Sequence, residues 1–329
     1  MAYSGISVVI PNYNGVHLFP QILPSMYTAL KNSNQEYEVI ISDDCSTDDS
    51  IAYLKKTYPE IIVIENKVNR GFSPTINEGI FKARYDYLLL LNSDVKLTPD
   101  YFSNLFSYFE AEDTFGVMGR IIGWDDDEIQ DAAKYPALQG AKIKTSGNYY
   151  LKNPQKSDRL YSVYLSGANA FVDRKKIIAL GGFNELFAPF YVEDFELSIR
   201  AWRLGWKCYY DHFSVCRHQV SISIKSKNKK NFINTVYYRN KMFLHYLHLS
   251  GFTLTQWFLQ LIPETLFYTV TGRFYFAKAV LLFLKNKHKA SISKSNFEKL
   301  AEKKNGLLSV KEVFSRILLS LQGKEINRF

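Results

Sequence analysis

Two carboxylates set the chemistry open to this chain. Asp94 closes Asn92-Ser93-Asp94, directly after the run Tyr87-Leu-Leu-Leu-Leu91. Four consecutive leucines read as a strand buried on both faces, the state of a parallel strand inside an α/β sheet. Ligands of open α/β sheets bind beyond the carboxyl ends of the strands, so Asp94 stands where a site is expected. A carboxylate there suits a divalent metal held against a diphosphate. The plainer reading is a turn that caps a helix starting near Pro99. Asp194 lies in Tyr191-Val-Glu-Asp194-Phe-Glu-Leu197, at the expected start of a helix over 193–204 that Gly205 stops. It can cap that helix, act as a base, or both. A helix N-terminus lowers a carboxyl pKa, and the neighbouring Glu193 pushes it back up. His218, in Cys216-Arg-His218-Gln, is isolated and by itself reads as structural.

Three more clusters each follow a short apolar run. Pro11-Asn-Tyr13-Asn follows Ile6–Ile10, and Tyr13 could stack on or flank a base. Asp43-Asp44-Cys-Ser-Thr-Asp48 follows Tyr37–Ile41, and a carboxylate there accepts the imide N–H of uracil or thymine, which adenine does not offer. Asn69-Arg70-Gly71-Phe72, with Asn77, follows Ile61–Ile64; Gly71 would let the backbone approach a ligand, and Arg70 could neutralise phosphate. Turns are rich in such residues, but four clusters after four successive strands point to one nucleotide site. There is no Gly-x-Gly-x-x-Gly and no Walker loop, which argues against a dinucleotide fold and a phosphate-loop ATPase.

The elements that must position these residues alternate. Runs at 6–10, 37–41, 61–64 and 87–91 read as strands, with helical spacing such as Leu18, Ile22, Leu23 and Met26 between them. This is the pattern of a Rossmann-like, mostly parallel sheet with helices on both faces. Residues 122–160, rich in Asp, Gly, Lys and Tyr, read as an irregular excursion over the site. Leu160–Gly167 reads as a further strand.

Charge divides the chain near residue 225. Residues 1–225 hold 23 Lys and Arg against 27 Asp and Glu; residues 226–329 hold 18 against five. We therefore expect a near-neutral catalytic body, 1–225, and a basic, aromatic-rich, mainly helical extension, 226–329. Residues 242–263 carry no Asp, Glu, Lys or Arg, but histidines and polar residues dilute the stretch and Pro263 is expected to end it, so a span is disfavoured. Phe274–Leu284, followed by Lys285, Lys287 and Lys289, suits a helix lying on an anionic membrane; the alternative packs its aromatics on the body. Aromatics set among aliphatic residues do not make a stacking platform, so no nucleic acid is expected. Cys45, Cys208 and Cys216 are odd in number and unclustered, which fits a reducing compartment. Met1–Gly5 shows no basic or apolar leader pattern. Together these place the protein in the cytoplasm, peripheral on the inner face of the cell membrane.

The motifs as a set resemble the family 2 glycosyltransferases, inverting enzymes of the GT-A fold. The resemblance rests on Val9-Ile-Pro-Asn-Tyr-Asn14, Asp43–Asp48, Asn69–Phe72 with Asn77-Glu-Gly79, Leu90-Leu-Asn-Ser-Asp94, Gly181-Gly-Phe-Asn-Glu185, Glu193-Asp194 and His218. The third and fourth motifs look most like the rhamnosyltransferase-like branch, which builds bacterial surface polysaccharides. It implies that Pro11, Tyr13 and Asp44 hold the pyrimidine, that Asn69, Gly71 and Asn77 line the ribose and diphosphate, and that Asn92 and Ser93 line the donor site. It further implies that Asp94 and His218 serve Mg²⁺ or Mn²⁺, and that Asp194 is the catalytic base. The implied partners are a UDP- or dTDP-sugar donor, a lipid-linked or oligosaccharide acceptor and an anionic membrane surface. Three departures stand out: Asn92 replaces the first Asp of Asp-x-Asp, Asn184 replaces an Asp, and Glu196 replaces an Asp. Neither the Gln-x-x-Arg-Trp motif nor the clear spans of processive synthases is found, which implies transfer of a single sugar. The rivals are a sugar nucleotidyltransferase, which would need a Gly-rich basic loop after the first strand, and a degenerate scaffold of a polysaccharide complex, which would need neither Asp94, Asp194 nor His218.

Overall fold

A computed structural model describes residues 4–219, 230–304 and 306–329. The first half alternates as expected: β1 (Ile6–Asn12), α1 (Phe19–Asn32), β2 (Tyr37–Asp43), α2 (Ser50–Thr57), β3 (Ile62–Glu65), α3 (Phe72–Lys82) and β4 (Tyr87–Leu91). Then come β5 (Val95–Leu97), β6 (Thr114–Gly123), β7 (Ile129–Asp131), β8 (Ala133–Gln139), β9 (Lys142–Leu151), β10 (Leu160–Tyr161) and β11 (Asn169–Asp173). The chain continues through α4 (Arg174–Ala179), α5 (Glu193–Arg203) and β12 (Lys207–His218). It ends with α6 (Lys230–His248), α7 (Gly251–Val270), α8 (Tyr275–Lys303), α9 (Val310–Leu319) and β13 (Ile326–Arg328).

The central sheet runs β10-β12-β6-β11-β4-β1-β2-β3, with β5 on β12 and β7 on β6. Strands β1 to β4 pair in parallel, β11 runs antiparallel between β4 and β6, and β12 returns parallel to β6. Strand alternation splits the core. Val9, Ile40, Leu88 and Leu90 face one cluster; Val8, Ile10, Ile41, Leu89 and Leu91 face the other, under α1. The tetraleucine is thus buried on both faces, as its composition requires.

Four expectations change. No helix starts at Pro99: Tyr101, Ser103 and Leu105 N–H groups bond three residues back, and a short 3₁₀ turn over 105–110 follows. Residues 122–160 are not irregular, because β8 and β9 form an antiparallel sheet completed by β13 from the far end of the chain. Only Leu160 and Tyr161 pair as a strand before the chain leaves the sheet, drawn onto α5 by the Leu165 N–H bond to Ser198 Oγ at 3.0 Å. Pro263 does not end a helix; it sits inside α7 on the exposed side.

The C-terminal helices pack on the body. Phe243, Trp257, Phe283, Val313 and Phe314 belong to the same buried cluster as Leu88, Phe187 and Trp202. Leu249 and Ser250 break residues 242–263 between α6 and α7, and among the described residues no helix is long and apolar enough to cross a membrane. A chain ending at residue 225 would expose the apolar surface that α6 and α8 cover. It is expected to aggregate and to lose cooperative urea unfolding; a single sharp transition in the shortened chain would contradict the shared core.

Candidate active site

The first two motifs are pinned to each other. Asp43 is buried at the end of β2 and accepts from Asn12 Nδ2 at 2.7 Å, Ser46 Oγ at 2.6 Å and Ser46 N at 2.8 Å. Asn14 adds a bond from Thr47 N at 2.7 Å. Pro11 follows the last β1–β4 pair, Val9 with Leu90, where a missing N–H costs that ladder nothing. Tyr13 is exposed beyond it. A Cβ on Gly15 would lie 3.7 Å from Ser93 Oγ, so the ends of β1 and β4 face each other.

Asp44 organises the third motif. Its Oδ1 accepts from Arg70 N at 2.7 Å, and its Oδ2 from Gly71 N at 2.8 Å; Asn69 Nδ2 donates to the Asp44 carbonyl at 3.2 Å. Gly71 approaches Pro189 closely: a Cβ would fall 2.5 Å from Pro189 Cα, and φ is +84°. Only glycine combines that conformation with that contact. Arg70 pairs with Glu78 at 3.0 Å and Glu185 at 3.4 Å. Asn77 is engaged within the protein. It is buried, its Nδ2 donates to the Phe183 carbonyl at 2.9 Å, and its Oδ1 accepts from Phe183 N at 2.8 Å. It braces the Gly182–Phe183 turn, where a Gly182 Cβ would strike its Oδ1 at 2.4 Å.

Asp94 and His218 come together although 124 positions separate their numbers. β5 pairs antiparallel with the end of β12, setting His218 opposite Val95, and Gln219 N donates to the Asp94 carbonyl at 3.0 Å. His218 Nε2 lies 3.5 Å from Asp94 Oδ2, and both side chains are partly open to solvent. This pair offers one carboxylate oxygen, the donor type Mg²⁺ and Mn²⁺ prefer, and one imidazole nitrogen. Among the described residues no three His, Cys, Asp or Glu side chains gather into a cage. The pair would hold such an ion through one oxygen and one nitrogen.

Asp194 reaches the same place from α5. Asn92 N donates to the Ala168 carbonyl at 3.1 Å, and a Cβ on the preceding Gly167 would lie 3.8 Å from Asp194 Cβ. The segment 167–168 therefore adjoins both the Asn92–Asp94 turn and Asp194. Burial raises the Asp194 pKa, outweighing the lowering by the Phe195 N–H, Lys134 and the Gly167 backbone. Burial, then the charge of Asp194, pushes Glu193 up to about 8. The cap expected at Asp194 is local: its Oδ1 accepts from Phe195 N at 2.7 Å.

The approach to these carboxylates is held by a residue that sequence reasoning missed. Tyr191 and Val192 have φ of +75° and +74°, and positive φ is costly for any side chain and worst for a β-branched one. Fully buried Asn240 of α6 donates through Nδ2 to the carbonyls of Phe187 at 2.6 Å, Phe190 at 2.9 Å and Tyr191 at 2.8 Å. Its Oδ1 accepts from Arg239, which also donates to the Ala188 carbonyl. Nothing in the sequence sets Asn240 apart from Asn231 and Asn234 of the same helix.

Residues 7–181, just over half of the chain, match the family described as "Glycosyl transferase family 2". The match stops short of Asp194 and His218. A poly(ribitol-phosphate) beta-glucosyltransferase of Bacillus spizizenii is 31% identical over 122 residues, 36% of this chain and 19% of that protein. An undecaprenyl-phosphate 4-deoxy-4-formamido-L-arabinose transferase of Pseudomonas fluorescens is 31% identical over 139 residues, 40% of this chain and 39% of that one. In each case the match spans well under half of the relative's length. Among solved structures, GalNAc-T7 with UDP, GalNAc and Mn²⁺ superposes with a TM-score of 0.67 at 17% identity, over 97% of this chain and 57% of that one. S. aureus TarS 1-349 with UDP-GlcNAc superposes at 0.57 and 15% identity, over 92% and 91%. These two likenesses show a shared GT-A-like fold.

Asn240→Ala removes one donor group from three carbonyls. It should cost about 1–3 kcal/mol in urea unfolding and release the Tyr191–Val192 turn; an unchanged midpoint would show that the clamp carries no strain. Glu193 gives a pH signature. Its native carboxyl titrates at about 8, above its unfolded value, so its contribution is complete in acid and is lost as pH rises from about 4.5 through about 8. Glu193→Gln should flatten that decline; a variant with the parent slope would remove Glu193 as its source.

Proposed function

The chain belongs to glycosyl transferase family 2, and from that premise we propose that it moves one sugar from a UDP- or dTDP-sugar to an acceptor hydroxyl with inversion at the anomeric carbon. One observation carries the reading: Asp194 and the Asn92–Asp94 turn both adjoin the segment 167–168, and His218 lies beside Asp94. A base and an anion-anchoring pair gathered at one segment suit a displacement at a shared site.

Asp194 takes the proton from the acceptor hydroxyl as its oxygen attacks the anomeric carbon. The glycosidic bond to the diphosphate breaks on the opposite face, and the configuration inverts. Burial suits Asp194 to this task, because a raised pKa makes a carboxylate a stronger base. Mg²⁺ or Mn²⁺ bound by Asp94 and His218 would supply Lewis-acid charge for the departing diphosphate. Asn92, Ser93 and Gly15 form the wall beside it. Asp44 Oδ2, with one backbone N–H on it, keeps an acceptor position for a pyrimidine imide, and Tyr13 flanks the base.

The motif forms at 69–72 and 92–94 support the rhamnosyltransferase-like branch. Relatives named for undecaprenyl phosphate and poly(ribitol phosphate) support a lipid-linked or polymeric saccharide acceptor in bacterial surface polysaccharide assembly.

Nucleotide diphosphate release is to be measured from UDP-, dTDP- and GDP-sugars with Mn²⁺, Mg²⁺ or chelator, in the presence of a bacterial lipid extract. Asp194→Asn should lower turnover about 100- to 10,000-fold while UDP affinity stays within twofold of roughly its parent value. The parent rate should rise with pH as Asp194 ionises. Loss of UDP binding in the same variant would make Asp194 a structural residue and defeat the proposal.

A further inference from the structure

We propose that the outward face of α7, continued onto the start of α8, seats the protein on an anionic lipid bilayer without crossing it. The proposal rests on the sugar-transfer reading only for the acceptor it would bring within reach. α7 turns Trp257 and Leu261 inward and ties its one acid, Glu264, to Lys142. Gln260 Oε1 accepts from Ala141 N at 3.3 Å, fixing which side of the helix faces the β8–β9 hairpin. On the opposite side stand Phe252, Leu259, Ile262, Leu266, Phe267 and Val270, each between 59% and 86% exposed. Their spacing puts them on one stripe of a helical wheel. The orientation is thus the reverse of a solvated surface helix, which sends its charged side outward.

The expectation that Phe274–Leu284 supplies the apolar face is only partly met. Phe276, Ala279 and Phe283 face the core, while Phe274 and Leu281 are exposed. What α8 adds is charge. Lys278, Lys285, Lys287 and Lys289 are exposed on it, and Arg273 lies in the turn that leads to it. α7 itself contains no Lys or Arg. An apolar stripe bordered by cations on one side matches the acyl boundary and anionic headgroups of a leaflet. A second copy of the chain fits worse, because pairing through this face would bring together two regions that each hold 18 Lys and Arg against five Glu.

The test is flotation of the full chain with vesicles of phosphatidylglycerol and phosphatidylethanolamine, and with phosphatidylcholine vesicles, alongside UDP and dTDP binding and sedimentation of each variant. The parent should float with the anionic vesicles and roughly tenfold less with phosphatidylcholine. Leu259→Gln/Leu266→Gln changes outward side chains only; it should keep UDP binding and float roughly tenfold less. Lys278→Glu/Lys285→Glu leaves the apolar stripe intact and should abolish the preference for anionic vesicles. The proposal is overturned if the parent binds UDP but stays at the bottom, if the leucine variant floats like the parent, or if the parent is a dimer that the leucine variant dissociates. Flotation with no binding of either UDP or dTDP would leave docking in place and defeat the sugar-transfer reading.

Discussion

Asn240 holds the arrangement on which the rest of the site depends. Two consecutive non-glycine residues at positive φ relax unless their surroundings over-determine them. Here a buried amide meets the carbonyls of Phe187, Phe190 and Tyr191. The alternative to those bonds is buried, unpaired carbonyls, so the loop has one low-energy course. That course aims Glu193 and Asp194, and it sets Pro189 against Gly71, whose neighbour Phe72 donates its N–H to the Pro189 carbonyl at 2.8 Å. Asp44 holds the other side of the same glycine. One amide on a C-terminal helix thus fixes the relation between the second, third and sixth motifs of the chain.

A second buried network makes the same connection deeper in. Glu196 bonds Arg200 at 2.9 Å, and Arg200 donates to the Leu180 and Gly182 carbonyls. Burial raises the Glu196 carboxyl, but Arg200 and His248 outweigh it and hold it ionised. His248 of α6, pushed down to about 4 by burial, is neutral; its Nδ1 takes a bond from Arg203 at 3.2 Å and its Nε2 lies 3.5 Å from Glu196. The substitution of Glu for Asp in this motif has a use here, since the longer side chain reaches both Arg200 and His248. The charge boundary near residue 225 is real in composition, yet the apolar core and these polar bonds cross it.

The sequence was most legible where physics is local. Alternating strands, the buried tetraleucine and the helix ending at Gly205 follow from periodicity and backbone preference, and Asp94 with His218 followed from the motif set. What was hidden depends on distant partners. β8 and β9 looked irregular because residues 133–151 are polar and their third strand comes from 326–328. Residue type does not reveal that Arg70 pairs with Glu78 and Glu185, or that Asn77 bonds Phe183. Asn240 offered no pattern at all. Its role lies in three carbonyls some fifty positions earlier, and carbonyls leave no mark on a sequence.

Position at a helix start argues that Asp194 should be a weak base, since a helix N-terminus stabilises the anion by about 0.3–1 kcal/mol at exposed sites. The structure reverses that sign. Asp194 accepts one local N–H and feels Lys134, but Lys134 is itself tied to Asp131 and donates to Asn148 at 2.9 Å. Its positive charge is therefore largely spent before it reaches Asp194, and desolvation prevails. Glu193 and Asp194 repel each other's charge, and burial with that repulsion keeps Glu193 protonated. A neutral Glu193 beside an ionisable Asp194 avoids two adjacent buried anions, which leaves the pair free to carry one negative charge at Asp194.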